Sequence, residues 1–128
     1  MYNEKVIDHF TNPRNIGYIH DAHGVGDYGD PDCGDQIIIY LQVNRGVIKD
    51  IKFKIFGCST LIATTSMLTE LVMGKPLEEA RKITGSDIVQ ALGGLPEDKA
   101  HCAKLSVTAL HYAMRDYEKK KSLGWVRT

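Results

Sequence analysis

The sequence has no net charge, no long apolar run and no closely paired cysteines, and each absence excludes a class of protein. Sixteen basic side chains balance sixteen acidic ones, so the chain lacks the cationic surface with which nucleic-acid-binding proteins hold phosphates. No apolar stretch approaches the roughly 18 residues that cross a bilayer, and residues 1–5 do not begin a signal peptide. We therefore expect a cytoplasmic protein that binds neither nucleic acid nor membrane.

The length of the chain indicates one domain over residues 1–128. A domain of this size buries roughly 65–70% of the surface that its unfolded chain exposes, so it needs no disulfides to hold its core. The chain has three cysteines, an odd number without C-x-x-C pairs. That pattern favours reduced thiols in a reducing compartment.

Alternating apolar residues predict a β-hairpin in the first half of the chain. Residues 36–43 place Ile37, Ile39 and Leu41 on one face, and residues 47–56 place Ile51 and Phe53 on one face. Asn44-Arg45-Gly46 supplies the turn between them. A Gly- and Asp-rich stretch precedes the hairpin and allows at most one irregular strand, at residues 25–28.

Helical periodicity and end signals predict helices on both sides of the hairpin. A short one over residues 1–10 is stopped by Asn12-Pro13, and another begins after Cys58 with Ser59 or Thr60 as N-cap. Later helices are predicted at residues 77–83, at 86–92 with Thr84 and Asp87 as a capping box, and at 96–120 with Pro96 in its first turn. The buried stripe of the last helix is expected to comprise Ala103, Val107, Leu110, Met114 and Tyr117.

Each cysteine falls at the end of a predicted element, although 25 and 44 residues separate them along the chain. Cys33 precedes the first hairpin strand and Cys58 follows the second, so antiparallel pairing brings these two ends side by side. Cys102 lies near the start of the last helix, directly after His101, and Asp35 follows Cys33 by two residues. Three thiolates and one Asp or His make the four ligands that tetrahedral zinc or iron requires.

Thiolate ligands select zinc, Cu(I) or iron–sulfur clusters, and ligand type alone does not choose among them. Three other interpretations compete with a functional metal or cluster site. Free cysteines often serve as small buried apolar residues, and a structural zinc site usually has paired C-x-x-C knuckles, which are absent here. A nucleophilic Cys58 activated by His101 or another histidine is also conceivable, but it leaves Cys33 and Cys102 unexplained.

Several segments together resemble the iron–sulfur cluster assembly scaffold proteins of the IscU/NifU type. Three of them surround the cysteines: Cys33-Gly34-Asp35, Phe56-Gly57-Cys58, and Gly93-Gly94-Leu95-Pro96 leading to Lys99, His101 and Cys102. The others are Ile62-Ala63 followed by Thr64-Thr65-Ser66, and the opening Tyr2-Asn3-Glu4-Lys5-Val6 through Asn12-Pro13-Arg14-Asn15. The resemblance extends over nearly the whole chain.

The resemblance implies an α+β fold in which a small antiparallel three-stranded sheet packs against several helices. It also implies that Cys33, Cys58 and Cys102 are cluster ligands and that Asp35 and His101 are the two candidates for the remaining site. A cysteine desulfurase would deliver persulfide sulfur to Cys102 on a mobile loop. Iron would join the sulfur, and a transient [2Fe-2S] cluster would pass to apo-proteins.

The same resemblance implies a scaffold or carrier rather than an enzyme, and it names further partners. These are an iron or electron donor (frataxin-like or a ferredoxin), the apo iron–sulfur acceptor proteins, and a second copy of the chain in a cluster-bound homodimer. Zinc is expected in the thiolates of the cluster-free form. A carboxylate such as Asp35 holds iron less tenaciously than a fourth thiolate and would leave the cluster transferable.

The sequence departs from the family pattern in two places. Ser59-Thr60-Leu61 follows Cys58 where the family commonly has Gly-Ser-Ala, so this loop is expected to be stiffer. Leu95-Pro96-Glu97-Asp98-Lys99 replaces the Leu-Pro-Pro-Val-Lys segment that the family's Hsp70-type chaperone grips. The two acidic residues weaken the case for that chaperone as a partner.

The main alternative is a zinc-bound sulfur-transfer protein that accepts persulfide from a cysteine desulfurase. That branch of the family usually carries an insertion between the second and third cysteines and lacks the histidine before the third. This chain has no insertion and keeps His101. The sequence therefore favours the cluster scaffold.

Overall fold

The computed structural model of the protein describes residues 2–30, 32 and 34–126, and it has an α+β architecture with helices on one face of an antiparallel sheet. The sheet has three strands in the order β1-β2-β3. The strands are β1 (Gly24–Asp30), β2 (Asp35–Asn44) and β3 (Val47–Phe56). The helices are α1 (Glu4–Thr11), α2 (Ser59–Val72), α3 (Leu77–Arg81), α4 (Gly85–Ala91) and α5 (His101–Ser122), with a 3-10 turn at Glu97–Lys99.

The predicted hairpin is confirmed, and its apolar face forms the centre of the core. Ile39 pairs with Phe53 and Leu41 with Ile51 across β2 and β3, and all four side chains are fully buried. A bulge between Gln42 and Val43 shifts the register near the turn. The hairpin therefore carries its buried face from the turn to the opposite end, where β2 begins and β3 finishes.

Strand β1 is longer than the short irregular strand that the sequence indicates, because two of its glycines allow α5 to pack directly on its backbone. A Cβ atom at Gly26 would overlap the carbonyl oxygen of Ala109, and one at Gly24 would overlap that of Ala113. The backbone N–H of Val25 also donates to Asp116 Oδ2 of α5, at 2.8 Å. The sheet edge and the last helix are thus held together by contacts that only glycine permits.

Helix α2 is buried almost throughout and begins one residue earlier than expected. Cys58 itself is the N-cap residue, so the prediction of Ser59 or Thr60 as N-cap is wrong. The hydroxyl of Thr60 instead forms a short hydrogen bond with the Tyr2 hydroxyl, which ties the N-terminal segment to the first turn of α2. The backbone oxygen of Cys58 accepts from the N–H groups of Leu61 and Ile62.

The end signals of α4 are confirmed, whereas the start of the last helix needs correction. Thr84 and Asp87 form the predicted capping box at the start of α4. Pro96 lies before the 3-10 turn and not in the first turn of α5, because Ala100 N–H bonds back to Glu97 and the chain turns again before the helix begins. Helix α5 therefore starts at His101, and Cys102 is its second residue.

The buried side of α5 agrees with the predicted stripe in large part. Ala103, Leu110, Met114 and Tyr117 are buried, and Val107 is half-buried. Small side chains at other positions are buried as well, where the helix meets β1 and α2. Within the described ranges, no helix is both long and apolar enough to cross a bilayer.

Candidate functional site

Two of the three cysteines meet where helices α2 and α5 begin. The Sγ atoms of Cys58 and Cys102 lie 3.9 Å apart, and both thiols are free. Cys58 is half-buried at the N-cap of α2, whereas Cys102 is fully buried in the first turn of α5. Cys102 is therefore helical and buried, and does not lie on the loop that the family resemblance implies.

His101 lies beside this pair on the solvent side. Its Nε2 atom is 3.9 Å from Cys102 Sγ, and its side chain is exposed. A nitrogen atom at this distance makes only a weak contact with the thiol. The imidazole is thus adjacent to the sulfur and open to solvent.

Asp35 reaches the same region from the sheet. It is the first residue of β2, and the register that pairs Gln36 with Phe56 brings it next to Gly57. A Cβ atom at Gly57 would lie 2.5 Å from Asp35 Oδ1, so the carboxylate occupies the space that a side chain there would fill. Gly57 directly precedes Cys58, which sets the carboxylate beside the loop that carries that thiol.

Burial and neighbouring negative charge keep Cys102 protonated in this arrangement. Burial is the main cause that raises the pKa of the Cys102 thiol to about 12, and the neighbouring Cys58 and Asp35 raise it further. The Lys99 ammonium acts in the opposite direction, with a smaller effect. The thiol becomes a ligand or nucleophile only when it is uncovered or when a cation joins the site.

The structure brings four of the five predicted site residues into one region, namely Asp35, Cys58, His101 and Cys102. The fifth, Cys33, lies outside the described residues. Among the described residues, no three His, Cys, Asp or Glu side chains are grouped closely enough to hold a metal ion. The complete ligand set proposed from the sequence therefore stays a prediction.

Sequence reasoning missed three hydroxyl groups behind the thiols. Thr64 and Thr65 of α2 and Ser106 of α5 are fully buried and bonded to one another. The sequence singles out Thr64-Thr65 only through the family resemblance, and it does not single out Ser106. The available signal was three polar residues at positions where helical periodicity expects apolar ones.

The first comparison with known proteins identifies the domain. The sequence model of the family described as "NifU-like N terminal domain" matches residues 1–123. The protein "Iron-sulfur cluster assembly scaffold protein IscU 1" of Archaeoglobus fulgidus is 54% identical over 120 residues, which cover 94% of this chain and 78% of that protein. The IscU scaffold protein of Aquifex aeolicus is 52% identical over 122 residues, with the same coverage of 94% and 78%.

A solved structure has the same fold. The crystal structure of a Fervidobacterium islandicum protein, assigned as an iron–sulfur cluster assembly scaffold for the SUF system, superimposes with a TM-score of 0.71. It is 25% identical to this chain, and the match covers 88% of this chain and 96% of the other. The arrangement of sheet and helices is therefore shared well beyond the relatives with high sequence identity.

Proposed function

This chain belongs to the IscU/NifU family of iron–sulfur cluster assembly scaffold proteins, and on that premise we propose that it builds a transient [2Fe-2S] cluster and donates it to apo-proteins. Its relatives are named as scaffolds, which agrees with a carrier rather than an enzyme. The observation that carries the proposal is the 3.9 Å separation of the Cys58 and Cys102 sulfurs at two converging helix starts. Two thiolates this close can bind the same iron–sulfur unit.

The proposed ligands are Cys33, Cys58 and Cys102, with Asp35 or His101 at the remaining position. Asp35 lies at the start of β2 beside Gly57, and His101 lies at the start of α5 with its Nε2 atom 3.9 Å from Cys102 Sγ. A carboxylate is a harder ligand than a thiolate and binds iron less tenaciously. Asp35 would therefore make the bound cluster easier to transfer.

Sulfur is proposed to enter through Cys102 from the persulfide of a cysteine desulfurase. The Cys102 thiolate would attack the terminal sulfur, leaving the desulfurase cysteine as a thiolate and carrying the sulfur on Cys102 as a new persulfide. Because the Cys102 thiol is fully buried, the first turn of α5 must move for this attack to occur. The 3-10 turn at Glu97–Lys99 immediately before α5 offers a short segment in which that movement can start.

The remaining partners are proposed from the same role. They are a frataxin-like iron donor or a ferredoxin as electron donor, apo iron–sulfur acceptor proteins, and a second copy of the chain when the cluster is bound. The acidic pair Glu97 and Asp98 argues against an Hsp70-type chaperone that recognises Pro-Val at those positions. The free thiols of Cys58 and Cys102 fit a reducing compartment, and we propose the cytoplasm.

Anaerobic reconstitution with iron, cysteine and a desulfurase tests the proposal. The expected result is the visible absorption spectrum of a [2Fe-2S] cluster, which is lost in Cys58→Ser and in Cys102→Ser. A colourless protein that retains zinc and still accepts persulfide would overturn the scaffold role and support the sulfur-transfer alternative. Activity of a cysteine hydrolase that survives metal chelation would contradict both.

Two variants decide the ligand at the remaining position. Asp35→Ala is expected to lengthen the lifetime of the bound cluster, since it removes the most labile ligand. Loss of all cluster binding in Asp35→Ala would contradict this role. The cluster lifetime in His101→Gln is compared with that in His111→Gln. The second variant changes a half-buried histidine on the same helix and serves as the control.

A further inference from the structure

Three buried hydroxyl groups connect α2 to α5 directly beneath the two thiols. Ser106 Oγ lies 2.9 Å from Thr64 Oγ1 and 2.8 Å from Thr65 Oγ1. All three residues have 0% exposure, so no water competes for these hydrogen bonds. We call Thr64, Thr65 and Ser106 the hydroxyl cluster.

The hydroxyl cluster also holds two backbone carbonyls next to the cysteines. Ser106 Oγ lies 3.2 Å from the carbonyl oxygen of Cys102, and Thr64 Oγ1 lies 3.1 Å from that of Leu61. Thr64 Oγ1 is also 3.5 Å from the Cys102 carbonyl. Each hydroxyl carries one proton, so Ser106 and Thr64 each donate at any moment either to one of these carbonyls or to a neighbouring hydroxyl of the hydroxyl cluster.

The position of the network makes it more than a packing contact. Cys102 lies one turn before Ser106 on α5, and Cys58 is the residue from which α2 starts. Hydrogen bonds are directional, whereas apolar contacts allow two helices to slide past each other. A cross-helix network that ends on the Cys102 carbonyl fixes the first turn of α5 relative to α2.

We propose that Ser106 is a positioning residue, which with Thr64 and Thr65 holds the Cys102 thiol in its covered place beside Cys58. This inference deepens the proposed function and rests on it for its biological meaning. The hydroxyl cluster sets the separation of the Cys58 and Cys102 sulfurs that binding of an iron–sulfur cluster needs. The hydroxyl cluster also resists the opening of α5 that sulfur delivery needs. Its loss should therefore shorten the lifetime of the bound iron–sulfur cluster and raise the reactivity of the Cys102 thiol.

The chain offers matched controls for this idea. Thr108, also on α5, donates to the carbonyl of Lys104 at 2.9 Å, which is the same local bond that Ser106 makes, and no bond to another helix is found for it in the described part of the chain. Ser66 on α2 is fully buried and bonds to His9 Nδ1 and to the backbone N–H of Arg14, away from the thiols. Ser66→Ala thus removes a buried hydroxyl, and Thr108→Ala removes a half-buried one with the same local bond, without touching the hydroxyl cluster.

The first experiment measures alkylation of Cys102 and Cys58 by iodoacetamide in the full-length native protein, resolved by peptide mapping. Ser106→Ala is expected to raise the Cys102 rate relative to Cys58 by about tenfold, the effect of losing one well-made hydrogen bond. Thr64→Val, which keeps the shape and removes the hydroxyl, should do the same. Thr64→Ser, which keeps the hydroxyl, should remain close to the parent rate.

The inference would be overturned if the ratio of the Cys102 to the Cys58 alkylation rate were unchanged in both Ser106→Ala and Thr64→Val. An equal rise in Thr108→Ala or Ser66→Ala would also overturn it, because it would show general loosening of the fold. This readout needs neither iron nor sulfur. It therefore decides the positioning role whether or not the protein proves to be a cluster scaffold.

The second experiment measures the lifetime of the reconstituted cluster in the same variants. Ser106→Ala is expected to lose its cluster several times faster than the parent while its Cys102 thiol reacts more readily. A cluster as long-lived as in the parent would contradict the positioning role. Failure of reconstitution in the parent would instead contradict the proposed function and leave the alkylation result standing.

Discussion

The carboxylate of Asp35 lies against the backbone of Gly57, where a Cβ atom would come 2.5 Å from Oδ1. Gly57→Ala is therefore expected to displace the Asp35 carboxylate and to lengthen the lifetime of a bound cluster by about the factor seen in Asp35→Ala. The decay of visible absorbance after anaerobic reconstitution gives both lifetimes. The double variant separates the causes, because Gly57→Ala should have no further effect once Asp35 is alanine. Independent, additive effects would show that Gly57 acts on the cluster by another route.

The buried histidine of α1 predicts a loss of stability in mild acid. His9 is 3% exposed, its Nδ1 atom is 2.8 Å from Ser66 Oγ, and its Nε2 atom is 3.0 Å from Glu70 Oε1. Burial, and next to it the charge of Arg14, lowers the pKa of His9 from 6.5, although Glu70 opposes the shift. The native state therefore favours the neutral ring.

The sign of the effect follows from proton linkage. Above pH about 6.5, His9 is neutral in both states, and below it the unfolded chain binds a proton that the native ring resists. The free energy of unfolding should fall with a limiting slope of about 1.4 kcal/mol per pH unit and level off below the native pKa. Urea denaturation between pH 5 and 8 measures it. His9→Gln should flatten the pH dependence of the free energy of unfolding. His20→Gln, which changes an exposed side chain, should leave it unchanged.

The close approach of β1 to α5 predicts a large effect from a single methyl group. Gly26→Ala would place its Cβ against the Ala109 carbonyl oxygen and 2.4 Å from Ala113 N, both backbone atoms that cannot turn aside. We expect a loss of about 2–3 kcal/mol in the free energy of unfolding. Gly29→Ala, where the nearest atom is 3.1 Å away, should cost about 1 kcal/mol or less. Equal effects in urea denaturation would contradict the close packing of β1 on α5.

The two described thiols should differ in reactivity in the unmodified protein. Cys58 is half-buried, whereas Cys102 is fully buried and its pKa is raised to about 12. Because only an accessible thiolate is alkylated, iodoacetamide should modify Cys102 at least about tenfold more slowly than Cys58 at pH 8. Peptide mapping over a time course measures both rates. Urea should abolish the difference, and a difference that survives unfolding would have another origin.

Local patterns predicted much of the fold, and the misses occur where distant parts of the chain meet. The alternation in β2 and β3 and the capping box of Thr84 and Asp87 depend on neighbours in the sequence, and both are confirmed. The full length of β1 was missed because its glycines make sense only against α5. The N-cap of α2 is Cys58, whose side chain makes no capping bond, and the Thr60 hydroxyl bonds instead to Tyr2, 58 residues away.

The candidate site shows the same division. Asp35, Cys58, His101 and Cys102 were identified from residue type and position, and the structure brings them into one region. The burial of Cys102 was not foreseen, because it depends on how the start of α5 packs onto α2. The hydroxyl cluster was missed for the same reason, since a serine and two threonines have no function until two helices bring them together.

The packing of β1 against α5 also has a consequence for synthesis on the ribosome. The backbone N–H of Val25 donates to Asp116, 91 residues later in the chain. Strand β1 therefore leaves the ribosome long before the helix that covers it. Until α5 has been translated, Gly24 and Gly26 leave a strip of bare backbone on the growing sheet. Cys58 is then already present, whereas Cys102 arrives with the helix that closes the fold. A nascent chain thus cannot complete the thiol pair before α5 docks, so the two sulfurs come together only when the domain is nearly finished.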